Sequence, residues 1–187
     1  MLNFFREHSR TIIRLTSNQF GAAFLAIALG LAVPSENMQL LFWTSIFSVG
    51  FILYLNHTVV WEEGAKSRIR VDAGRERYNP LTGLWIGIIA SLPNIILGVL
   101  TAVGFFLGNP EGFLGWSFAA KLSDITGAIA FLWQGMYIGI IRYIFPTSTY
   151  IYLAVPIPVI LGCFASYWMG LRQWRLIKQK KKTADKK

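Results

Sequence analysis

The sequence predicts an all-α, polytopic membrane protein: a helical bundle with four transmembrane helices and one re-entrant or interfacial helix. Of its 187 residues, 54% are hydrophobic and only 14% are charged. Soluble domains carry about a quarter charged residues, which cover their surface. The charges are also concentrated in short segments that are separated by long apolar runs. We therefore expect lipid, rather than water, to surround the apolar runs.

Four apolar blocks are long enough to cross a bilayer, which requires about 20 helical residues. They are residues 16–33, 38–60, 81–107 and 150–170. Residues 1–18 mix apolar and basic side chains, a composition that predicts a short interfacial helix before the first span. The sequence PSENMQ, which separates the first two blocks, is expected to form an outer turn.

The basic residues predict the orientation of the chain. Sixteen of the 18 Lys and Arg residues lie in residues 1–19, 61–80 and 171–187. The positive-inside rule places such segments in the cytoplasm. We therefore interpret residues 1–187 as one domain of a bacterial cytoplasmic membrane, with both termini cytoplasmic, a charged cytoplasmic loop at 61–80 and a basic cytoplasmic tail at 171–187. This placement explains the net charge of +9 without a nucleic-acid partner.

A fifth apolar block, residues 125–145, carries Gln134 and Arg142. On a helix, Arg142 shares one face with small and polar residues, which suits a surface or re-entrant helix as well as a packed span. If both termini are cytoplasmic, the number of crossings is even, and this block does not cross the membrane. Five spans are the alternative.

Nine charges lie between Trp61 and Arg77. One interpretation is a site for anions or lipid headgroups, or a docking surface, because arginine binds phosphate through two parallel hydrogen bonds. The other is a solvated loop with charges of both signs, ordered by internal ion pairs, that determines the topology, with turns at Gly64 and Gly74. The four acidic residues exceed what topology requires and indicate a defined local fold. The candidate binding residues are Arg68, Arg70, Asp72, Arg75 and Arg77.

The sequence offers little for catalysis. A metal-dependent lipid phosphotransferase needs several aspartates at helical spacing, and Asp72 is the one aspartate of the charged loop. With one cysteine, Cys163, and two histidines, His8 and His57, the chain has no zinc-ligand spacing. We predict no catalytic residue, no metal and no cofactor, with a lipid-modifying enzyme as the third choice.

Polar residues inside apolar blocks are candidates for function. Asn94 follows Pro93, and a proline in mid-helix frees a carbonyl. Either Ser91 and Asn94 satisfy that carbonyl locally, or the broken helix lines a substrate or ion site. Gln134 and Arg142 would join Asn94 along such a path. Asn56 and His57 lie near a span end, where hydration is the simpler interpretation. Small residues recur every four positions and predict close helix packing, within the monomer or between copies: Gly83/Gly87, Gly135/Gly139 and Gly162/Ser166/Gly170.

Two stretches resemble a pattern found in uncharacterised small multi-pass membrane proteins of Gram-positive bacteria. They are WEEGAKSRIRVDAGRERYNPLTGLWIGIIASLPN and, later, PVILGCFASYWMG before a basic tail. The shared features are the Gly74-Arg75 pair, the mid-helix Pro93 and the Trp168-Met169-Gly170 ending. The resemblance covers about a third of the chain and implies a membrane location, with no catalytic residues.

These features predict a non-catalytic integral membrane protein that serves as an accessory or structural subunit of a membrane assembly. The alternative is a small oligomeric transporter or channel, with its path near Asn94, Gln134 and Arg142. The expected partners are membrane lipids, including anionic headgroups, and either further copies of the chain or other membrane subunits.

Overall fold

The computed structural model describes residues 2–34, 37–108, 117–144 and 149–174. These residues form helices and connecting turns, with no strand among them. The all-α prediction is confirmed for this part of the chain. The helices are α1 (Leu2–Leu31), α2 (Met38–Asp72), α3 (Thr82–Ala90), α4 (Leu92–Gly108), α5 (Ser117–Trp133), α6 (Ile138–Ile144) and α7 (Pro156–Leu171), with 3₁₀ turns at Gly135–Tyr137 and Thr149–Leu153.

Four helix termini meet at one end of the bundle, which we call the basic end. The start of α1 reaches the end of α2, where His8 contacts Glu63. Gly170, near the end of α7, packs against Gly64 of α2, and Gly83, near the start of α3, packs against Tyr167 of α7. At the other end, which we call the opposite end, Gly30 of α1 lies beside Leu41 of α2. Hence α1 and α3 run away from the basic end, and α2 and α7 run towards it.

Helix α2 extends far beyond the apolar part that a membrane would cover. Its 35 residues span about 52 Å, whereas a hydrocarbon core is about 30 Å thick. The predicted loop over residues 61–80 is therefore wrong for residues 61–72, which continue the helix. Two exposed ion pairs at the helical i, i+4 spacing, Glu62–Lys66 and Arg68–Asp72, stabilise this extension.

Gly74 ends α2. It has a positive φ of 70°, and the amides of Gly74 and Arg75 donate to the carbonyls of Val71 and Arg70. This is a Schellman motif, in which glycine takes the left-handed conformation without steric cost. The turn predicted at Gly74 is confirmed. The turn predicted at Gly64 is wrong, because Gly64 is buried inside α2.

Helix α1 is continuous from Leu2 to Leu31, so residues 1–18 do not form a separate helix. One face of its first half is buried against the other helices, and includes His8, Ile12 and Leu15. The prediction of a helix that lies on the membrane surface is therefore wrong, because these side chains pack in the bundle core. Ile12 and Leu15 join a cluster with Ile86 of α3 and Tyr167 of α7.

The third apolar block is broken into α3 and α4, which meet at an angle of 57°. The break falls at Ser91, two residues before Pro93. Proline fits at this point because the amide it lacks would lie in the first turn of α4, where amides have no helical partner. The mid-block kink predicted from Pro93 is thus confirmed as a helix break.

The sequence predicts that the fifth block is one helix over residues 125–145, and this prediction is wrong. The helix begins earlier, at Ser117, and the chain bends by 80° after Trp133, between α5 and the stretch Gly135–Ile144 that contains the 3₁₀ turn and α6. Three stretches, Phe4–Leu31, Met38–Asp72 and Ile151–Leu171, are long and apolar enough to cross a membrane. With each bent pair taken as one span, the described residues contain up to five. The outer turn predicted between the first two blocks lies partly outside the described residues.

The small-residue pairs pack within the chain. Gly162, Ser166 and Gly170 of α7 meet α2 at Leu53, His57 and Gly64. The two other pairs also contact neighbouring helices: Gly83 and Gly87 contact α7, Gly135 contacts α1, and Gly139 contacts α2. These contacts therefore show that the small residues pack helices together within the monomer.

Candidate functional site

A cluster of charged groups joins α1 to the charged extension of α2 at the basic end. The Glu63 carboxylate lies 3.2 Å from His8 Nδ1, which donates to it, and Thr11 Oγ1 donates at 3.4 Å. Arg70 donates to Glu76 at 2.7 Å and lies 3.6 Å from Glu63. The His8 side chain is 3% exposed and that of Glu63 is 13% exposed, so water screens this contact weakly.

These contacts shift the pKa values of Glu63 and Arg70, which both lie beyond the apolar part of α2. The hydrogen bond from His8 lowers the pKa of Glu63, and the charges of His8, Arg70 and Lys66 add to this effect against the opposing effect of burial. Burial acts to lower the pKa of Arg70, but the hydrogen bond and charge of Glu76, together with Glu63 and Glu7, raise it overall. Both groups are therefore held in their charged forms.

The five residues proposed for the charged loop do not converge on one site. Arg68 and Arg70 are two positions apart on a helix, and so point about 200° apart. Arg70 faces α1, whereas Arg68 and Asp72 face the end of α7, beside Arg172 and Trp174. Arg75 and Arg77 are exposed in the following turn. Their binding role stays a prediction.

The acidic residues of this segment account for its local fold. Each of the four has a basic partner: Glu62 with Lys66, Glu63 with His8 and Arg70, Asp72 with Arg68, and Glu76 with Arg70. The defined local fold predicted from this excess of acids is confirmed. No group of three or more His, Cys, Asp or Glu residues able to hold a metal ion occurs in the described part of the chain.

A second polar cluster lies in the apolar part of the bundle, at the break between α3 and α4. Asn94 is 1% exposed, and its Nδ2 donates to Gln19 Oε1 at 2.8 Å. Gln19 Nε2 in turn donates at 3.4 Å to the carbonyl of Ala90, at the end of α3. The amide of Gln19 thus pairs with Asn94 and with a carbonyl at the helix break, as buried polar groups require.

Asn56 belongs to the same region. It is buried, and its Oδ1 accepts a hydrogen bond from Asn18 Nδ2 at 3.3 Å. The interpretation of Asn56 as a hydrated residue at a span end is therefore wrong. Sequence reasoning also missed Asn18 and Gln19, because it assigned residues 1–18 to an interfacial helix and singled out no polar residue at the start of the first apolar block.

Some polar atoms of this region have no hydrogen-bond partner among the described residues. They are Asn56 Nδ2, Ser91 Oγ and Asn94 Oδ1. A buried polar atom without a partner is unfavourable by about 1–3 kcal/mol, so such atoms in native proteins indicate water, an ion or a ligand. These atoms leave the cluster with hydrogen-bonding capacity that its described neighbours do not use.

Gln134 lies at the second helix break, between α5 and α6. It is 1% exposed, and neither its Oε1 nor its Nε2 has a partner in the described parts of the chain. Next to it, Gly135 packs against Ala23 and Ile27 of α1. Gln19, Ala23 and Ile27 are four residues apart and share one face of α1. The two helix breaks therefore contact the same face of α1, about one turn apart.

Arg142 lies near the end of α6, at the opposite end of the bundle. It is exposed and lies 5.6 Å from the ring centre of Phe131. Together with Pro34 and Met38, it lines a cavity of about 490 Å³ that reaches inward to Ala26, Ser48 and Gly135. We call this space the outer cavity. The structure thus brings Asn94, Gln134 and Arg142 to successive levels along α1, although no direct contact joins the three side chains.

Comparison with known protein families, characterised proteins and solved structures finds no match to this chain. The resemblance to small Gram-positive membrane proteins stays a prediction. Apolar helices of this length are compatible with a membrane location.

Proposed function

We propose that the protein is an integral membrane protein that carries a small solute along one face of α1. The observation that supports this function is that each helix break buries an amide side chain with unpaired polar atoms, Asn94 at one and Gln134 at the other. Broken helices in membranes supply solute sites in this way, because freed backbone groups and amides can replace water around a polar guest.

The proposed topology has four crossings, with the α5–α6 pair re-entrant. α4 and α5 pack antiparallel, since Thr101 bonds Thr126 and Gly104 packs on Ser123. Because α4 runs away from the basic end, it finishes at the opposite end, and α5 starts there. α6 ends beside Met38, at the opposite end as well. Both ends of the pair then lie on one side of the membrane, with Gln134 at its deepest point.

The basic end faces the cytoplasm in this proposal. It carries Arg6, Arg10 and Arg14 of α1, the basic residues of the α2 extension and the following turn, and Arg172. The positive-inside rule predicts this orientation for a bacterial cytoplasmic membrane. Anionic headgroups of the inner leaflet would then meet these arginines, at about 1 kcal/mol for each one near the surface.

The proposed path predicts that water-soluble reagents reach the amide positions. In a Cys163→Ala background, which removes the one native cysteine, Asn94→Cys and Gln134→Cys should react in liposomes with the anionic thiol reagent sulfonatoethyl methanethiosulfonate. Thr101→Cys is the matched control, because Thr101 is equally buried but its hydroxyl donates a hydrogen bond to Thr126 of α5. Its reaction should be slower by about tenfold or more, since no solute path reaches it.

Protection of both amide positions to the same degree as Thr101→Cys would overturn the solute path. The accessory-subunit function predicted from the sequence would then be the better proposal. That function needs no hydrated path, and it predicts a larger assembly after extraction in mild detergent.

A further inference from the structure

Among the described residues, Arg142 is a cation without a carboxylate partner. Within the described ranges, no Asp or Glu oxygen lies within the 4.0 Å of an ion pair. It is also the one charged residue among the described residues that line the outer cavity. A guanidinium at the edge of an apolar region that has no carboxylate partner is available to pair with an anion. The chemistry at the mouth of the cavity is therefore that of an anion-binding group.

The interior of the outer cavity is mainly apolar. The part of its lining that the structure describes contains three hydroxyl groups, on Thr44, Ser45 and Ser48. Thr44 and Ser48 donate to carbonyls of their own helix, and Ser45 accepts from the amide of Gly139 at 2.8 Å. Because the hydroxyl hydrogens of Thr44 and Ser48 are already engaged, the walls that a guest meets are mostly methyl and methylene groups.

The cavity has the shape of a slot along α1 and α2. Met38 lies at its mouth and Ser48 at its deep end, ten positions apart or about 15 Å along the helix. Gly30 leaves one wall open, because a Cβ there would meet only Leu41 Cδ1, at 3.8 Å. Its volume of about 490 Å³ lies in the range of small-molecule sites. A long apolar guest with one charged end fits this combination of depth, apolar walls and a cation at the mouth.

We propose that the outer cavity binds one anionic amphiphile, with its alkyl chain between α1 and α2 and its phosphate or carboxylate at Arg142. The guanidinium fork suits either headgroup, through two parallel hydrogen bonds. This amphiphile is distinct from the small polar solute of the proposed path, so the inference goes beyond the proposed function and does not depend on it. Binding is measurable without transport, so that either the amphiphile site or the solute path can be rejected while the other stands.

Native mass spectrometry of the full chain, released from a neutral detergent, tests this site with dodecyl phosphate and dodecanoate as probes. We expect one bound probe per chain at saturation. Arg142→Gln should weaken binding about tenfold or more, since it removes a charge-assisted hydrogen bond, and Arg142→Lys should weaken it less. Gly30→Leu should abolish binding by filling the slot.

Two matched controls accompany these variants. Gly21→Leu makes the same change on the same helix, at a position where a Cβ meets nothing within 4 Å. Lys121→Gln removes the other cation that lies between the basic segments, on α5. Both should bind the probes as the unmodified chain does. If Gly30→Leu does not fold, the exposed Arg142→Gln variant decides the question.

Three results would overturn the inference. Binding that survives both Arg142→Gln and Gly30→Leu would place the probe elsewhere. Dodecanol that binds as tightly as dodecyl phosphate would remove the role of the anion. Inorganic phosphate that binds as tightly would remove the role of the cavity walls. Probe binding with unreactive cysteines at positions 94 and 134 would instead leave this site standing and reject the solute path.

Discussion

Gly64→Ala is expected to destabilise the bundle by about 1–3 kcal/mol, the usual effect of an extra methyl group in a tightly packed contact. At this position α2 and α7 approach so closely that a Cβ on Gly64 would overlap the backbone oxygen of Tyr167, with Gly170 Cα at 3.2 Å. Backbone atoms cannot rotate away as a side chain can, so the two helices must separate. The measurement is the midpoint of thermal unfolding in detergent, which should fall by about 2–4 °C per kcal/mol.

Gly50→Ala is the matched control, because it makes the same change in the same helix where a Cβ meets nothing within 4 Å. It should leave the midpoint unchanged or raise it slightly, since alanine favours a helix over glycine by about 1 kcal/mol. Equal midpoints for the Gly64 and Gly50 variants would show that α2 and α7 do not pack as described.

Glu63→Gln is expected to produce the second large effect, at the charged cluster of the basic end. The substitution removes the carboxylate that pairs with His8 and Arg70 in a partly buried setting. Loss of a charged hydrogen-bond partner there should destabilise the protein by about 1–3 kcal/mol at neutral pH. Glu62→Gln changes the adjacent residue, whose side chain is 53% exposed and pairs with Lys66. It should have an effect of less than about 1 kcal/mol.

The Glu63 contacts also predict how stability depends on pH. The pKa of this carboxyl is lowered in the folded protein from its ordinary value of 4.5, chiefly by the hydrogen bond from His8. Its contribution is therefore present above pH 4.5 and is lost as the pH falls from there through the folded pKa. Unfolding midpoints measured across this range should fall more steeply for the unmodified chain than for Glu63→Gln. Parallel curves would contradict the role of Glu63.

The positions of the apolar helices were predictable because long runs of apolar residues are visible directly in the sequence. Each block contains a helix or a bent pair of helices, and Gly74 and Pro93 mark a helix end and a helix break as their backbone chemistry requires. The extension of α2 was missed because dense charge was read as a loop. The Glu62–Lys66 spacing was the available signal, since a glutamate four residues before a lysine supports a helix.

The candidate site was less predictable, because its contacts join residues distant in sequence. Asn94 and Gln134 were identified as polar residues in apolar blocks, but Gln19, 75 positions before Asn94, has no local pattern that predicts this pairing. The break at Gln134 was missed for a related reason. The sequence there has no proline, and the bend places Gly135 and Gly139 against two different helices. Such tertiary contacts override what one segment prefers alone.

Membrane-impermeant maleimide labelling of intact cells tests the proposed topology most directly. Single cysteines would replace Met38, Tyr143 and Arg77 in the Cys163→Ala background. The four-crossing topology predicts that Met38→Cys and Tyr143→Cys are labelled from outside, whereas Arg77→Cys is labelled only after the cells are permeabilised. Labelling of Tyr143→Cys only after permeabilisation, together with Arg77→Cys, would contradict the re-entrant α5–α6 pair, because α6 would then end in the cytoplasm.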